Sequence, residues 1–258
     1  MSQSCSDARH QARRKAKPRL PAQLPERCAG DLAPTVDDYA AAVTPHVRAA
    51  WIEALSPGRF QTYITAAGGD EERALRLYRW NSRISPAWMP DLALIEIALR
   101  NAIHDTLANG TGHSDWWNHL VLDNKTDRSI DDAVQRITRE HGQVTPGHIV
   151  ADLSLGNWVR LLGTGGRKHG MAVDYFKTLW RPHLAHRFPT AASRQDMHRR
   201  VEELRILRNR IAHHEPLLTT DLAAHQRTAL TLLRIISPVL ADDVATTSLV
   251  RGLLQNRP

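Results

Sequence analysis

The chain has 258 residues, 42% of them hydrophobic and 24% charged, which excludes a wholly disordered protein and a membrane protein built from apolar helices. The formal net charge is +7, but residues 1–27 hold seven cationic and two anionic side chains, so +5 of it lies in that segment. Only two cysteines are present, Cys5 and Cys28, which excludes a disulfide framework.

Residues 1–34 are polar, basic and interrupted by four prolines. Such a segment cannot bury enough apolar surface to offset the entropy of ordering it, so we predict a disordered basic arm over 1–34. Residues 35–258 are predicted to form a single domain. No stretch of the sequence has the apolar run of a secretory signal or of a membrane span, and we expect a soluble, cytoplasmic protein with no membrane partner.

After the arm, apolar residues recur at helical spacing, and alternating strand patterns are hard to find. The chain is therefore predicted to be all-α. Asp70 and Asp127 have the character of helix N-caps or first-turn residues, Pro146 suits a first turn, and Pro216 closes a long helix. In chain order, the predicted helices span 36–54, 59–66, 70–84, 87–108, 127–141, 146–162, 171–187, 194–214, 218–236 and 239–254.

The glycine-rich stretch 163–170 resembles a phosphate-binding loop at first sight. It lacks the residue order GxxxxGK[ST], and no predicted strand precedes it. We interpret it as a flexible connection between helices. Its cations, Arg167 and Lys168, are candidates for contact with an RNA backbone, as is Arg210 further along the chain.

A cation interrupts the apolar stripe of the predicted helix 194–214. At about 100° per residue, Arg208 lies on the arc formed by Val201, Leu204, Leu207, Ile211 and Ala212. A buried and unpaired charge costs several kcal/mol. Arg208 is therefore expected to meet a carboxylate, a bound anion or a subunit boundary.

The predicted helix 87–108 has the opposite charge in a similar place. Glu96 lies within its apolar stripe, and Arg100 follows one turn later. One interpretation is structural, in which Glu96 pairs with Arg100 or with Arg208. In the other, Glu96, Arg100 and the neighbouring Asn101 support a site near Arg208.

Arg208, Asn209 and His213 together suit RNA cleavage. An imidazole exchanges protons near neutral pH, and a guanidinium stabilises charge that develops on a phosphate. RNA supplies its own nucleophile through the 2′-OH, so we predict no metal ligands and no cofactor. Arg208 and His213 lie about 140° apart on an ideal helix, so a common site requires either a distorted helix end before Pro216 or two copies of the helix that face one another across a two-fold axis. We expect the second arrangement, a dimeric site.

The stretch RNRIAHHEP at 208–216 matches the motif of HEPN-domain proteins, in which four to six residues separate an arginine from a histidine. The wider sequence resembles the bacterial Abi-like family of that group, over about residues 50 to 245. The further segments that carry this resemblance are LIEIALRNAIH at 94–104, LSPGRF at 55–60, AAGGD at 66–70, Trp116-Trp117 and LWRP at 179–182.

The resemblance implies a HEPN-like helical bundle with additional helices, usually dimeric. It also implies a metal-independent endoribonuclease of abortive infection or of a toxin–antitoxin pair, with RNA as substrate and an antitoxin protein as partner in the second case. Arg208 and His213 would be the catalytic pair, with Asn209 as the polar residue after the arginine. His214 also satisfies the spacing, which leaves two candidates for the catalytic histidine. The chain has His213-His214-Glu215 where many such toxins have His-x-Tyr.

Other functions stay open at the level of the sequence. A non-catalytic HEPN module that binds RNA or a partner helix would use the same residues. A metalloenzyme could use the pairs His183 and His186 or His213 and His214, although no HExxH spacing organises them. Among the seven tryptophans, Trp116 and Trp117 are candidates for exposed contacts with bases, and the core is expected to hold Trp51, Trp80, Trp88, Trp158 and Trp180.

Overall fold

The structure is a computed structural model that describes residues 44–191 and 193–258, without the side chain of Val47. The predicted arm and the start of the first predicted helix lie outside this part of the chain. Within it, the prediction of an all-α protein is confirmed.

The elements are α1 Pro45–Leu55, α2 Pro57–Ala66, α3 Glu71–Thr111, a 3₁₀ turn Trp116–Asn118, α4 Asn124–His141, α5 Pro146–Asp152, α6 Leu155–Leu161, β1 Arg167–Lys168, β2 Met171–Ala172, a π-helix Phe176–Leu184, α7 Arg194–Ala212, α8 Leu222–Ile236, α9 Pro238–Thr247 and α10 Val250–Gln255.

Helix α3 is continuous where two helices were predicted. It runs through 41 residues, about 60 Å, and contains Pro86 and Pro90. An internal proline costs about 3 kcal/mol, because it removes a hydrogen bond and its ring crowds the preceding turn. The apolar stripe nevertheless passes the prolines without a break, since Ile84, Trp88 and Leu92 are all buried. Burial along this stripe offsets the local penalty.

The long helix forms the centre of the fold. It packs against α2, α6, α7, α8, α10 and the π-helix. Asp70 fixes its start by accepting hydrogen bonds from the backbone N–H groups of Glu72 and Arg73. Gly112, with a φ of 75°, ends it in the left-handed conformation that glycine adopts at little cost. The positions of the other elements follow from this one helix.

Elsewhere, the observed helices begin, end or divide a few residues from the predicted positions. The predicted helix 146–162 is divided at Leu153 and Ser154 into α5 and α6, and the last predicted helix is divided into α9 and α10. Asp123 caps α4, so that helix begins three residues before the predicted start. Only part of the predicted helix 171–187 is helical, and that part is a π-helix that contains Pro182.

The glycine-rich stretch is an ordered hairpin and not a flexible connection. Strands β1 and β2 pair antiparallel, and the backbone N–H of Val173 donates to the carbonyl oxygen of Gly166 at 2.9 Å. Gly165 has a φ of 85°, and a Cβ atom there would lie 2.1 Å from the Val173 carbonyl oxygen. Glycine is therefore required at this position by close packing, without any phosphate.

The tryptophans differ from the expectations in two respects. Trp116 and Trp117 are 0% and 7% exposed, so neither is free to stack on a base. Trp116 instead donates its indole N–H to Nδ1 of His104 at 3.1 Å. Trp51, which was expected in the core, is 38% exposed and makes an edge contact with Tyr78. The other four predicted core tryptophans are buried.

Candidate functional site

The candidate motif lies at the C-terminal end of α7. The helix ends in a paired turn, in which the N–H of His214 donates to the Ile211 carbonyl at 3.0 Å and the N–H of Glu215 donates to the Arg210 carbonyl at 2.9 Å. This pattern usually places glycine at the left-handed position. Here His214 occupies it, with a φ of 54°. The backbone therefore holds His214 in a conformation that costs about 1 kcal/mol for a residue with a Cβ atom.

Arg208 differs from the other arginines of α7. It is half-buried and makes no hydrogen bond or ion pair with any residue that the structure describes. The other arginines of the helix all have partners: Arg194 donates to the Leu162 carbonyl, Arg199 contacts Asp196 and Glu203, Arg200 contacts Asp196, Arg205 contacts Glu202, and Arg210 contacts Glu215. The guanidinium of Arg208 is thus available to an anion.

The predicted pairing of Glu96 is not present. No ion pair joins Glu96 to Arg100 or to Arg208 within the part of the chain that the structure describes, although all three side chains are half-buried. Nε of Arg100 is buried and has no hydrogen-bond partner there. Asn101, the other predicted supporting residue, is exposed. Among the described residues, Glu96 and Arg100 therefore form no charge network with Arg208.

The remaining motif residues do not converge on Arg208 within one chain. His213 is exposed and Asn209 is half-buried, and the backbone N–H of His213 donates to the Asn209 carbonyl at 2.9 Å. The helix is regular up to Ala212. Arg208 and His213 therefore keep their separation of about 140° around the axis. On ideal helix geometry, the two residues thus lie on different faces of α7.

A cleft of about 720 Å³ opens beside this helix end. Its volume is within the range of ligand-binding pockets in proteins. His214 contributes to the wall, whereas Arg208 and His213 do not. Four elements supply the lining: Ala54 and Leu55 from α1, Arg59 and Tyr63 from α2, Tyr78, Asn81, Ser82, Ser85, Pro86 and Met89 from α3, and Ile211, Ala212 and His214 from the end of α7.

Polar contacts tie the cleft walls together. The guanidinium of Arg59 donates to the carbonyl oxygen of His214, and the buried amide oxygen of Asn81 accepts from the N–H of Leu217 at 2.8 Å. Burial raises the pKa of Tyr63 to about 12, so its phenol stays protonated at neutral pH. The cleft thus presents hydroxyl groups and one cation beside the end of α7.

The three cations predicted to touch RNA are used within the chain. Arg210 donates to Glu215 Oε2 at 3.2 Å, to Thr220 Oγ1 at 2.5 Å and to the Pro216 carbonyl at 2.8 Å. It therefore fastens the segment that follows α7. In the hairpin, Arg167 Nε donates to the Gly170 carbonyl at 3.0 Å, and Lys168 Nζ lies 3.0 Å from Asp127 Oδ2. None of these three residues lines the cleft.

Two groups of residues were missed in the sequence. Arg59 and Asn81 act through contacts with residues 155 and 136 positions away, which no local pattern reveals. The second group is His113, Asp115 and His119, whose potential ligand atoms all lie within 4.8 Å of one another. The spacing HxDxxxH was a readable signal, but the segment lies between two helices and away from the arginine–histidine motif.

Comparisons with protein-family models, with curated proteins and with solved structures find no match to this chain. Among the described residues, no helix combines the length and the apolar character needed to cross a lipid bilayer.

Proposed function

We propose that the protein is a metal-independent endoribonuclease of the HEPN type that acts as a homodimer. The observation that carries the proposal is that Arg208, unlike the other arginines of α7, has no hydrogen-bond or ion-pair partner among the described residues. Five neighbouring arginines in the same helix are neutralised or hydrogen-bonded. A half-buried guanidinium kept free of carboxylates is suited to a phosphate.

The all-α fold and the sequence motif support the same proposal. RNRIAHHEP follows the arginine–histidine spacing of HEPN proteins, and the resemblance extends to the sequence around Glu96, Arg100 and Asn101. A fold class alone does not identify an activity, so the argument depends on the chemistry of the motif. The roles of abortive-infection protein or toxin, with an antitoxin partner and a cytoplasmic location, are supported by the resemblance alone.

In the proposed reaction, the 2′-oxygen of a ribose attacks the adjacent phosphorus, and the bond from phosphorus to the 5′-oxygen breaks. His213 accepts the proton of the 2′-OH while water protonates the departing 5′-oxygen, or protonated His213 donates to the departing oxygen while water accepts the proton of the 2′-OH. Arg208 stabilises the charge on the non-bridging oxygens, and Asn209 supplies a further hydrogen bond. The products are a 2′,3′-cyclic phosphate and a 5′-hydroxyl. No electron transfer occurs, and the protons balance.

The geometry of α7 supports a site shared by two copies of the chain. Because Arg208 and His213 face directions about 140° apart, one chain presents either group to a phosphate but not both. Two copies of α7 related by a two-fold axis would place the arginine of each beside the histidine of the other. Glu96 and Arg100 are half-buried and have no ion-pair partner among the described residues, which leaves them available to charges of a second copy.

A non-catalytic module that binds RNA is the second candidate. The observation that favours it is the same separation of Arg208 and His213, because a binding surface does not require the two groups to meet at one phosphorus. Such a module would still use Arg208 for phosphate contact. It would bind RNA without changing its length.

The experiment is an incubation of the purified full chain with total cellular RNA in the presence of a chelator, with the termini of the fragments analysed. If the protein is the proposed nuclease, the fragments will end in 2′,3′-cyclic phosphates and 5′-hydroxyls. Sedimentation will then show a dimer. RNA that is bound but uncut at all enzyme concentrations supports the binding module instead. Cleavage that stops with chelator and returns with added metal contradicts the proposed mechanism.

A further inference from the structure

The loop after α3 holds three potential metal ligands on a rigid support. Gly112 ends the helix, and the 3₁₀ turn Trp116–Asn118 begins four residues later. The turn is anchored in the core by Trp116 and Trp117, which are 0% and 7% exposed. The segment 113–119 is therefore held at both ends, and its polar side chains project from a fixed backbone.

Three side chains of this loop lie close together. The imidazole rings of His113 and His119 are stacked with their centroids 3.7 Å apart and their planes 8° from parallel. Nε2 of His119 lies 3.5 Å from Oδ1 of Asp115. One potential ligand atom from each of the three residues lies within 4.8 Å of the others. The nitrogen lone pairs of two parallel rings do not meet at one point, so binding of one Zn²⁺ ion at bonds of about 2.0–2.2 Å requires one imidazole to turn out of the stack.

The carboxylate is also oriented. Asn118 donates from Nδ2 to Oδ2 of Asp115 at 3.1 Å, which leaves Oδ1 directed toward His119. A ligand carboxylate held by a neighbouring amide is a common arrangement around protein-bound metals.

Another histidine pair in the chain provides a contrast. The rings of His141 and His148 are 5.8 Å apart and tilted by 35°. Glu140 lies 3.9 Å from His141. These residues do not bring three ligand atoms together as the residues of the 113–119 loop do. The close grouping in the loop is therefore not a general property of the histidine-rich surface.

We propose that His113, Asp115 and His119 bind one Zn²⁺ ion, with the fourth position open to water. Two imidazoles and a carboxylate are ligands that suit Zn²⁺, and three protein ligands are typical of a zinc site with an open position. The site lies beyond Thr111, whereas the cleft reaches α3 only as far as Met89, about 33 Å away along the helix. The ion would link the end of α3 to the turn that carries Trp116 and Trp117.

The test is isothermal titration calorimetry, in which Zn²⁺ alone is added to the full-length, metal-free protein. The wild type is expected to bind one equivalent that is lost or weakened at least about tenfold in His113→Ala and His119→Ala. The matched control is His148→Ala, which removes an imidazole from the other pair and is expected to bind as the wild type does. Absence of saturable binding, or equal binding by His113→Ala and His119→Ala, overturns the proposal.

A second measurement guards against misfolded variants. Thermal unfolding followed by circular dichroism is expected to show that the variants are folded without metal. Zn²⁺ should raise the midpoint of unfolding by several degrees in the wild type and in His148→Ala, but not in His113→Ala. If His113→Ala is unfolded without metal, Asp115→Asn provides the same comparison, because it keeps the loop's shape and removes the anionic ligand. An equal rise in all variants overturns the proposal.

Discussion

The guanidinium of Arg59 in α2 donates a hydrogen bond to the main-chain carbonyl of His214, the residue that terminates α7 in a left-handed conformation. The two residues are 155 positions apart. Arg59 therefore connects the helix that precedes the central α3 to the end of the motif helix. Both residues line the cleft.

Removal of this contact is expected to loosen the end of α7. Arg59→Ala should lower the free energy of unfolding by about 0.5–1 kcal/mol, because an exposed side chain loses one hydrogen bond. The rate of RNA cleavage should fall by more than the small loss of folded protein accounts for, because His213 is next to the backbone of His214 that Arg59 no longer holds. The measurements are chemical denaturation and the initial rate of cleavage.

The control is Arg73→Ala, which removes an equal positive charge from an exposed position in α3. A loss of cleavage of the same size in Arg73→Ala and Arg59→Ala would mean that surface charge matters and that the contact with His214 does not.

His214→Gly is expected to stabilise the fold. His214 has a φ of 54°, where glycine avoids a steric cost of about 1 kcal/mol. Part of this gain is offset because glycine is more flexible in the unfolded chain, so the net increase should be about 0.5 kcal/mol. His213→Gly is the matched comparison, because His213 has a φ of −89° and gains nothing from glycine. Urea denaturation should rank His214→Gly above the wild type and His213→Gly below it. The reverse order would contradict the described turn.

Asn81→Ala is expected to be strongly destabilising. The amide oxygen of Asn81 is the acceptor for the N–H of Leu217 in a buried environment, and its loss leaves that N–H without a partner at a cost of about 1–3 kcal/mol. The neighbouring Ser82→Ala removes only an exposed hydroxyl bonded to the Tyr78 carbonyl and should change stability by less than about 0.5 kcal/mol. Equal midpoints of thermal unfolding for the two variants would exclude this role for Asn81.

Asp91→Asn is expected to stabilise the protein near pH 7. Burial raises the pKa of Asp91 above its usual range, and a hydrogen bond from Ser248 at 2.6 Å offsets part of this effect. The folded state therefore binds the proton more tightly than the unfolded state. The contribution of Asp91 is favourable at acidic pH and is lost as the pH rises through the folded pKa.

The asparagine keeps an acceptor for Ser248 and carries no charge at any pH. Its advantage over the wild type should grow between acidic and neutral pH, to a higher midpoint of thermal unfolding at pH 7. A pH-independent difference between Asp91→Asn and the wild type would contradict the assigned burial of the carboxylate.

Much of the helical architecture could be predicted, because amphipathic stripes and capping residues act locally. The stripe of α7 and the N-cap Asp70 follow from the sequence alone. The continuity of α3 through Pro86 and Pro90 could not be predicted, because burial against the surrounding helices outweighs the local preference. The hairpin after α6 was also missed, since its strands are two residues long.

The candidate site could also be predicted only in part from the sequence. The presence of Arg208 within an apolar stripe is readable in the sequence, and its lack of an internal partner is a property of the tertiary structure. Pairing of Glu96 was one of two interpretations, based on its spacing to Arg100 and on the opposite charge of Arg208. Opposite charges one turn apart on a helix gain only a few tenths of a kcal/mol, and side chains on different helices meet only if their registers agree. The cleft beside His214 requires four separate segments and has no local signature.

The central claim is that Arg208 and His213 together cleave RNA. The most direct measurement compares the wild type with Arg208→Ala and His213→Ala in a cleavage assay with chelator present, alongside an RNA-binding assay. We expect each substitution to reduce the cleavage rate by at least about 100-fold, as for the loss of a general acid–base group or of a charge-stabilising donor, while the fold and the dimer persist. Cleavage at the wild-type rate by either variant would contradict the account.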